Sequence, residues 1–118
     1  MTKETSSLPE LTGFNFSSAA KMLGGNHELL LRLVLKFPKN HGRTAIEIAE
    51  ALKEGDEELA YRLAHTLKSV SGTIGAEDVQ KCASKLVIGL KNRIDITDEL
   101  LEMETVLQDA LHSIKQLE

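Results

Sequence analysis

The sequence predicts an all-α protein: an antiparallel up-down four-helix bundle with a short additional N-terminal helix. Apolar residues recur at intervals of three and four along four long segments, and such spacings place side chains on one face of an α-helix. Aromatic residues make up only 3% of the 118 residues, so aliphatic side chains must build the core, and this composition suits helices better than sheets. Because the connections between the segments are short, successive helices should run antiparallel.

The length of the chain favours a single domain. Residues 1–10 are polar, contain Pro9 and are interpreted as a flexible N-terminal tail or linker, which leaves residues 11–118 for the bundle. A short helix is expected from Ser17 to Leu23, with Ser17 as its N-cap and two glycines, Gly24 and Gly25, after its end.

A long helix is expected from Asn26 to Lys53, with Asn26 as its N-cap. One apolar stripe keeps its phase through the whole segment: Leu30, Val34, Phe37, His41, Ala45, Ile48 and Leu52. Pro38 removes a backbone donor, so the sequence predicts a kink there. Two stacked helices are the alternative, because Gly42 also weakens a helix.

Three more helices complete the predicted bundle. Asp56 should cap a helix that runs to about Ile74, where Gly75 can adopt a left-handed conformation. The next helix spans about residues 77–91, and Thr97 should cap the last one. The residues expected to face inward on these last two helices are Val79, Cys82, Ala83, Leu86 and Leu90, then Leu100, Met103, Leu107, Ala110, Ile114 and Leu117.

One histidine lies on the polar face of its predicted helix. With His65 at zero and about 100° per residue, the apolar residues fall at roughly 120° to 220°. These apolar residues are Leu59, Ala60, Leu63, Leu67, Val70 and Ile74. His65 is therefore predicted to be exposed, and Tyr61, Arg62, Lys68, Ser69 and Gly72 lie within about 60° of it.

An exposed neutral imidazole can act as a nucleophile near neutral pH. Lys68, one turn later, and Arg62, one turn earlier, can place positive charge beside an incoming phosphoryl group. Ser69 and Gly72 are small enough for another protein to approach closely, so they are candidate docking residues together with Tyr61 and Arg62. The alternative is that His65 is incidental, since exposed histidines are common.

The run AHTLKSVSGTIGA, residues 64–76, resembles the A-H-x-L-K-G-x-x-x-x-x-G-A signature of histidine-containing phosphotransfer (HPt) domains. The matching residues are Ala64, His65, Leu67, Lys68, Gly75 and Ala76, whereas Ser69 replaces the usual glycine. The runs LGGNHELLLRLVLKF and ALKEGDEELAYRLAH are similar to the family's first long helix and to its link into the histidine helix. Together these resemblances cover most of residues 8–90.

The resemblance implies a phosphorelay intermediate without kinase activity of its own. His65 would accept a phosphoryl group from a receiver-domain aspartate and pass it to another receiver, while Lys68 would stabilise the phosphoryl oxygens. The implied partners are response-regulator receiver domains and a sensor histidine kinase, possibly a hybrid one. Any Mg²⁺ would belong to the receiver, because the sequence shows neither an acidic cluster nor a nucleotide-binding loop.

Composition and net charge argue against several classes of partner and of function. The net charge of −4 argues against nucleic acid as a partner, and no apolar run is long enough to suggest membrane contact. The single cysteine, Cys82, favours a reducing compartment, hence the cytoplasm, and we expect a monomer. The other histidines, His27, His41 and His112, lack zinc-site spacing, so no metal site is expected. A helical adaptor without phosphate chemistry stays as the second interpretation, and a hydrolytic or metal-dependent enzyme, which lacks a site, as the third.

Overall fold

The computed structural model describes residues 8–118 and folds this range into six helices. They are α1 (Phe16–Met22), α2 (His27–His41), α3 (Thr44–Lys53), α4 (Glu57–Thr73), α5 (Glu77–Lys91) and α6 (Thr97–Lys115). The described range contains no strand, only one isolated antiparallel bridge between Phe14 and Ala76. The predicted all-helical class is confirmed.

The four helices α3 to α6 form the bundle. α4 packs most extensively on α5 and then on α3, while α6 closes the ring by packing against α5 and α3. Turns of three to five residues join the successive helices, so neighbours run antiparallel. α1 packs on α2 and on α4. The helix that carries His65 thus has a neighbour on either side and keeps one outward face.

The first long helix is divided, which makes the expected kinked helix wrong and the two-helix alternative correct. Pro38 lies within the last turn of α2, and the break comes at Gly42 and Arg43. A Cβ added at Gly42 would stand 2.5 Å from the carbonyl oxygen of Pro38, so the backbone at the break leaves no room for a side chain there, and Leu111 of α6 lies beside it. The apolar stripe still continues across it, and the stripe residues that are buried are Leu30, Val34, Phe37, Ala45 and Ile48.

Two of the four predicted caps are confirmed. The side-chain oxygens of Asn26 and Asp56 accept hydrogen bonds from the backbone N–H groups three residues later, at 2.9 and 3.1 Å. Asn15, not Ser17, caps α1, since its Oδ1 accepts from the N–H of Ser18 at 3.0 Å. The prediction of Ser17 as the N-cap of α1 is therefore wrong by two residues.

The last helix also begins differently from the prediction. Thr97 is its first residue and makes no capping bond; instead its N–H and its hydroxyl both donate to the carboxylate of Asp95, at 3.0 and 2.6 Å. These two hydrogen bonds lower the pKa of Asp95. The acidic side chain therefore orders the turn from which α6 starts.

The N-terminal segment is attached to the turn between α4 and α5. The N–H of Asn15 donates to the carbonyl of Gly75 at 2.7 Å, and the N–H of Glu77 donates to Gly13 at 3.1 Å. Gly75 has φ of +78°, and a Cβ there would stand 2.5 Å from the carbonyl oxygen of Asn15. Only glycine allows both the left-handed turn and this close approach. The end of the histidine helix is thereby held by the segment before α1.

The predicted boundary between tail and domain stays a prediction. Residues 1–7 of the expected tail lie outside the described residues. Of the remaining tail residues, Leu8 packs against the core, as does Leu11 at the start of the predicted domain.

Inward-facing residues of α5 and α6 largely follow the prediction. Val79, Cys82, Ala83 and Leu86 are buried on α5, together with Val87 and Gly89. Met103, Leu107, Ala110 and Ile114 are buried on α6. Leu90, Leu100 and Leu117 are half-buried and pack against the core. The periodicity of these two segments therefore indicated their inner faces well.

Candidate phosphotransfer site

His65 lies near the middle of α4 and is exposed to solvent, as the helical wheel predicted. Ala64 and Leu67, which are close to His65 in sequence, have no exposed surface and belong to the core. The helix is thus fixed by packing on one side and presents the imidazole on the other. This arrangement orients a reactive side chain without burying it.

The buried arc of α4 is centred about 60° from the predicted position. Its fully buried residues include Ala60, Ala64, Leu67 and Ser71, whereas Leu59, Leu63 and Val70 are only half-buried. The small side chains of Ala64 and Ser71 face the closely packed neighbours of α4, and the hydroxyl of Ser71 donates to the carbonyl of Leu67 at 2.6 Å. Because that hydroxyl is satisfied within the helix, its burial carries little cost.

The rotation of this arc matters for the residues that flank His65. The residues on one side of His65, around the helix, are half-buried: Tyr61, Lys68 and Gly72. The residues on the other side of His65, Arg62 and Ser69, are exposed. The predicted docking residues therefore surround His65, but they are unequal in their access to solvent.

Tyr61 is the aromatic neighbour of His65. The two ring centroids are 6.0 Å apart and the ring planes are inclined at 34°. Since Tyr61 is half-buried, its ring is held beside the imidazole by packing against the core. The sequence placed Tyr61 on this face, but the ring contact emerges only from the structure.

Two cations lie within one turn of His65. Within residues 8–118 a single ion pair forms, between Lys85 and Glu102 at 3.4 Å, so neither Lys68 nor Arg62 is neutralised by a described carboxylate. The exposed face of α4 thus combines a nucleophile with positive charge that no described carboxylate neutralises. A dianionic phosphoryl group at the imidazole could accept hydrogen bonds from Lys68, one turn later, and from Arg62, one turn earlier.

Gly72, seven residues after His65, is covered by a neighbouring helix. The side-chain amide of Gln80 on α5 occupies the place where a Cβ of residue 72 would stand. A helix-interior glycine costs about 1 kcal/mol relative to alanine, and the close approach of Gln80 supplies a structural reason for it. The sequence had predicted that the missing side chain at Gly72 leaves room for a partner. The structure shows that an amide of the same chain fills the space first.

The other histidines and the cysteine occupy different environments. His41 is half-buried against Phe37, with ring centroids 5.5 Å apart, and burial lowers its pKa although Glu47 opposes this effect. Burial raises the pKa of the Cys82 thiol, so this side chain stays a protonated core residue. His112 is exposed on α6. His112 has Lys115 one turn later, so an exposed ring beside a lysine occurs there as well, whereas only His65 lies in an A-H-x-L-K run.

Residues 8–118 contain no cluster of three or more histidine, cysteine, aspartate or glutamate side chains suited to hold a metal ion. None of the helices in this range has the length and apolar character needed to cross a membrane.

Comparison with known families decides the assignment. The family model described as "Hpt domain" matches residues 39–117, which is about two thirds of the chain. The chain belongs to the Hpt domain family. Hpt domains are carriers of phosphoryl groups in two-component phosphorelays and are generally not kinases. No curated protein and no solved structure matches the chain at a significant level.

The Hpt match contains α3 to α6 completely, including His65 and its flanking residues. It begins at Lys39, so α1 and most of α2 lie upstream of it. The similarity of LGGNHELLLRLVLKF to the family's first long helix is therefore outside the matched range and stays a prediction. The bundle and the helix that carries His65 are the part of the chain that matches the family.

Proposed function

We propose that the protein is a phosphorelay intermediate in which His65 accepts a phosphoryl group from a receiver-domain aspartate and passes it to a second receiver. One observation carries this proposal above others. Within a domain of the Hpt family, His65 is an exposed imidazole in the run AHTLK, residues 64–68, which resembles the family's signature, and the lysine of that run has no ion pair among the described residues. Lys68 is that lysine, and we assign it to the phosphoryl oxygens.

The transfer step follows from the chemistry of imidazole. The ring nitrogen of His65 that carries no proton attacks the phosphorus of the aspartyl phosphate. A P–N bond forms while the P–O bond to the aspartate breaks, and the electron pair of that bond leaves with the carboxylate. The other ring nitrogen keeps its proton throughout. The reverse sequence returns the phosphoryl group to the carboxylate of the next receiver.

Lys68 would act by electrostatics and not by covalent chemistry. In the transition state of phosphoryl transfer, negative charge is spread over the three equatorial oxygens of the phosphoryl group. The ammonium group of Lys68 is close enough along the helix to lie beside those oxygens when phosphorus approaches His65. A charge that is already in place needs no reorganisation during the reaction.

The partners follow from the proposed step. The donor and the acceptor are receiver domains, and a sensor histidine kinase, possibly a hybrid one, supplies the phosphoryl group upstream. We expect the receiver to bring the Mg²⁺ and the aspartate, and we expect the reaction to take place in the cytoplasm. Tyr61, Arg62 and Ser69 form the proposed docking surface around His65, and Gly72 borders it beneath the amide of Gln80. The domain would act as a monomer, since one exposed imidazole is sufficient for the exchange.

A helical adaptor that binds partners without exchanging phosphate is the competing function. The decisive experiment incubates the protein with receiver domains that have been phosphorylated with radioactive acetyl phosphate. A relay intermediate acquires a label that acid removes and alkali preserves, as expected for a P–N bond to histidine. An adaptor binds the receiver without becoming labelled. If no receiver of the source organism labels the protein, the relay function is refuted.

A further inference from the structure

We infer that the side chain of Gln80, held over Gly72, is a specificity-determining contact for the receiver domain that docks at His65. This inference rests on the proposed function and adds a residue from a second helix to the docking surface. The docking residues predicted from the sequence all lie on α4. Helical periodicity could not indicate Gln80, because this residue reaches the surface of α4 from α5.

The position of Gln80 follows from the packing of α4 on α5, which is the most extensive contact between helices in the described chain. The amide of Gln80 stands where a Cβ of Gly72 would be, so it lies directly on the backbone of α4. Gly72 is seven residues after His65 and about 20° away around the helix, which is about 10 Å along the axis. Gln80 thus contributes to the same face of the bundle as the imidazole.

The amide of Gln80 is available to a partner. It is half-buried, and its side chain makes no hydrogen bond to another residue in the range 8–118. An amide group has two N–H donors and a carbonyl acceptor, and polar groups that become buried at an interface need hydrogen-bond partners. A receiver that covers this face must either bond to the amide or leave it unsatisfied. The residue therefore distinguishes between receivers that offer a matching polar group and those that do not.

The size of a transient interface brings Gln80 within reach of the partner. An interface of about 1,200 Å² in total, the upper bound of the small transient class, buries about 600 Å² on each protein, which corresponds to a patch with a radius of about 14 Å. If such a patch is centred on His65, the position of Gly72 at about 10 Å lies inside its rim. Contacts at this distance from the reacting atoms affect binding and selectivity more than the transfer step itself.

The test compares Gln80→Met with Gln108→Met. Methionine preserves the length of the side chain and removes its hydrogen-bonding groups, and Gln108 is an exposed glutamine on α6, which packs on α3 and α5 and not chiefly on α4. Each variant is mixed with a receiver phosphorylated by acetyl phosphate, and the initial rate of labelling is measured against receiver concentration. Melting temperature and helical circular dichroism verify that the variants are folded.

We expect Gln80→Met to raise the half-saturating receiver concentration about three- to tenfold, the range for loss of one neutral hydrogen bond, and to leave the rate at saturation unchanged. Gln108→Met should behave as the parent protein. An unchanged half-saturating concentration for Gln80→Met with every receiver that labels the parent overturns the inference while the relay function stands. A fall in the saturating rate alone would also overturn it, since that result places Gln80 at the reaction and not at docking.

Gly72→Ala provides an independent variant of the same contact. Its new Cβ must displace the flexible end of Gln80, so this variant should also raise the half-saturating concentration. The double variant Gly72→Ala with Gln80→Met should be no weaker than the more affected single variant, because both changes remove one contact. Additive effects would show that the two residues act separately and would contradict the inference. If no receiver labels the parent protein, the proposed function fails, and this inference fails with it.

Discussion

The ring of Tyr61 lies one helical turn before the imidazole of His65, with the ring centroids 6.0 Å apart. Tyr61 is packed against the core whereas His65 is exposed, so packing holds the tyrosine ring but not the imidazole. We expect this contact to hold the imidazole in a limited range of orientations. The reactive nitrogen would then need less ordering when a phosphorylated receiver arrives.

Replacing Tyr61 tests this orienting role. A ring pair contributes about 0.5–1.5 kcal/mol, so Tyr61→Ala should slow phosphoryl transfer to His65 about two- to tenfold. Tyr61→Phe retains the ring and should transfer at nearly the parent rate. Rapid-quench measurements of labelling at saturating receiver concentration give both rates. Equal slowing in the two variants would show that the hydroxyl matters and not the ring.

His65→Gln should abolish the acid-labile label and leave the fold intact. The imidazole is exposed, and surface substitutions usually change stability by no more than about 0.5 kcal/mol. His112→Gln is the matched control, because His112 is also an exposed histidine on a long helix. It should be labelled like the parent. Labelling of His65→Gln at the parent rate would refute the assignment of the phosphoacceptor.

Lys68→Ala should slow transfer by about tenfold to a hundredfold. The loss of one charge-assisted contact is worth about 1.5–3 kcal/mol, which corresponds to this range of rates. The melting temperature should change little, since Lys68 forms no ion pair within the described chain. Lys115→Ala, which removes a lysine from the last turn of α6, is the control for net charge. Identical kinetics of both variants would remove Lys68 from the mechanism.

The stability of the domain should depend on the protonation of His41. Burial lowers the pKa of this histidine in the folded state below its usual value of 6.5, so protons bind more readily to the unfolded chain. The neutral ring therefore contributes its full stabilisation above pH 6.5, and this contribution declines as the pH falls through 6.5 toward the lower folded pKa.

Melting temperatures at pH 7.5 and pH 5.5 measure this dependence. The parent protein should lose more stability on acidification than His41→Gln, in which the titrating group is absent. His112→Gln leaves the surroundings of His41 unchanged and should show the same loss as the parent. If His41→Gln and the parent lose stability equally between the two pH values, His41 does not contribute to the dependence.

Asn15→Ala should destabilise the domain by about 1 kcal/mol, the usual effect of losing an N-cap, and lower the melting temperature by about 4 °C. Its Oδ1 caps α1, and its Nδ2 also donates to a carboxylate oxygen of Glu77 at 3.2 Å. Ser17→Ala should change the melting temperature by much less, because Ser17 makes no capping bond. If Ser17→Ala lowered the melting temperature more than Asn15→Ala, Ser17 would be the cap of α1 after all.

Local sequence signals predicted most of the helices because they depend on neighbours along the chain. Asn26 and Asp56 cap the helices that they were expected to cap, and α5 covers residues 77–91 as its apolar period indicated. The position of His65 opposite the apolar residues of its helix predicted its exposure. These features follow from the geometry of one helix and one capping side chain, so they can be derived without knowledge of the fold.

Features that depend on a second helix were predicted less well. The break between α2 and α3 comes where Leu111 of α6 packs against Gly42, and not at Pro38, which is the stronger local signal. The buried arc of α4 is centred on small residues such as Ala64, because close packing of two helices favours small side chains at their contact. The hydrophobic pattern of the sequence instead predicted that leucines such as Leu63 lie at the centre of the buried arc, whereas Leu63 is only half-buried.

By itself, the sequence determined that this chain forms helices with one apolar face each, and that His65 and Lys68 share the outward face of one of them. Only the tertiary structure decided which helices lie side by side, and with them the placement of Gln80 over Gly72. The physical reason is that helical periodicity fixes the relative direction of side chains within a segment. The neighbour that fills the space beside a given residue is chosen by packing between segments that are distant in sequence.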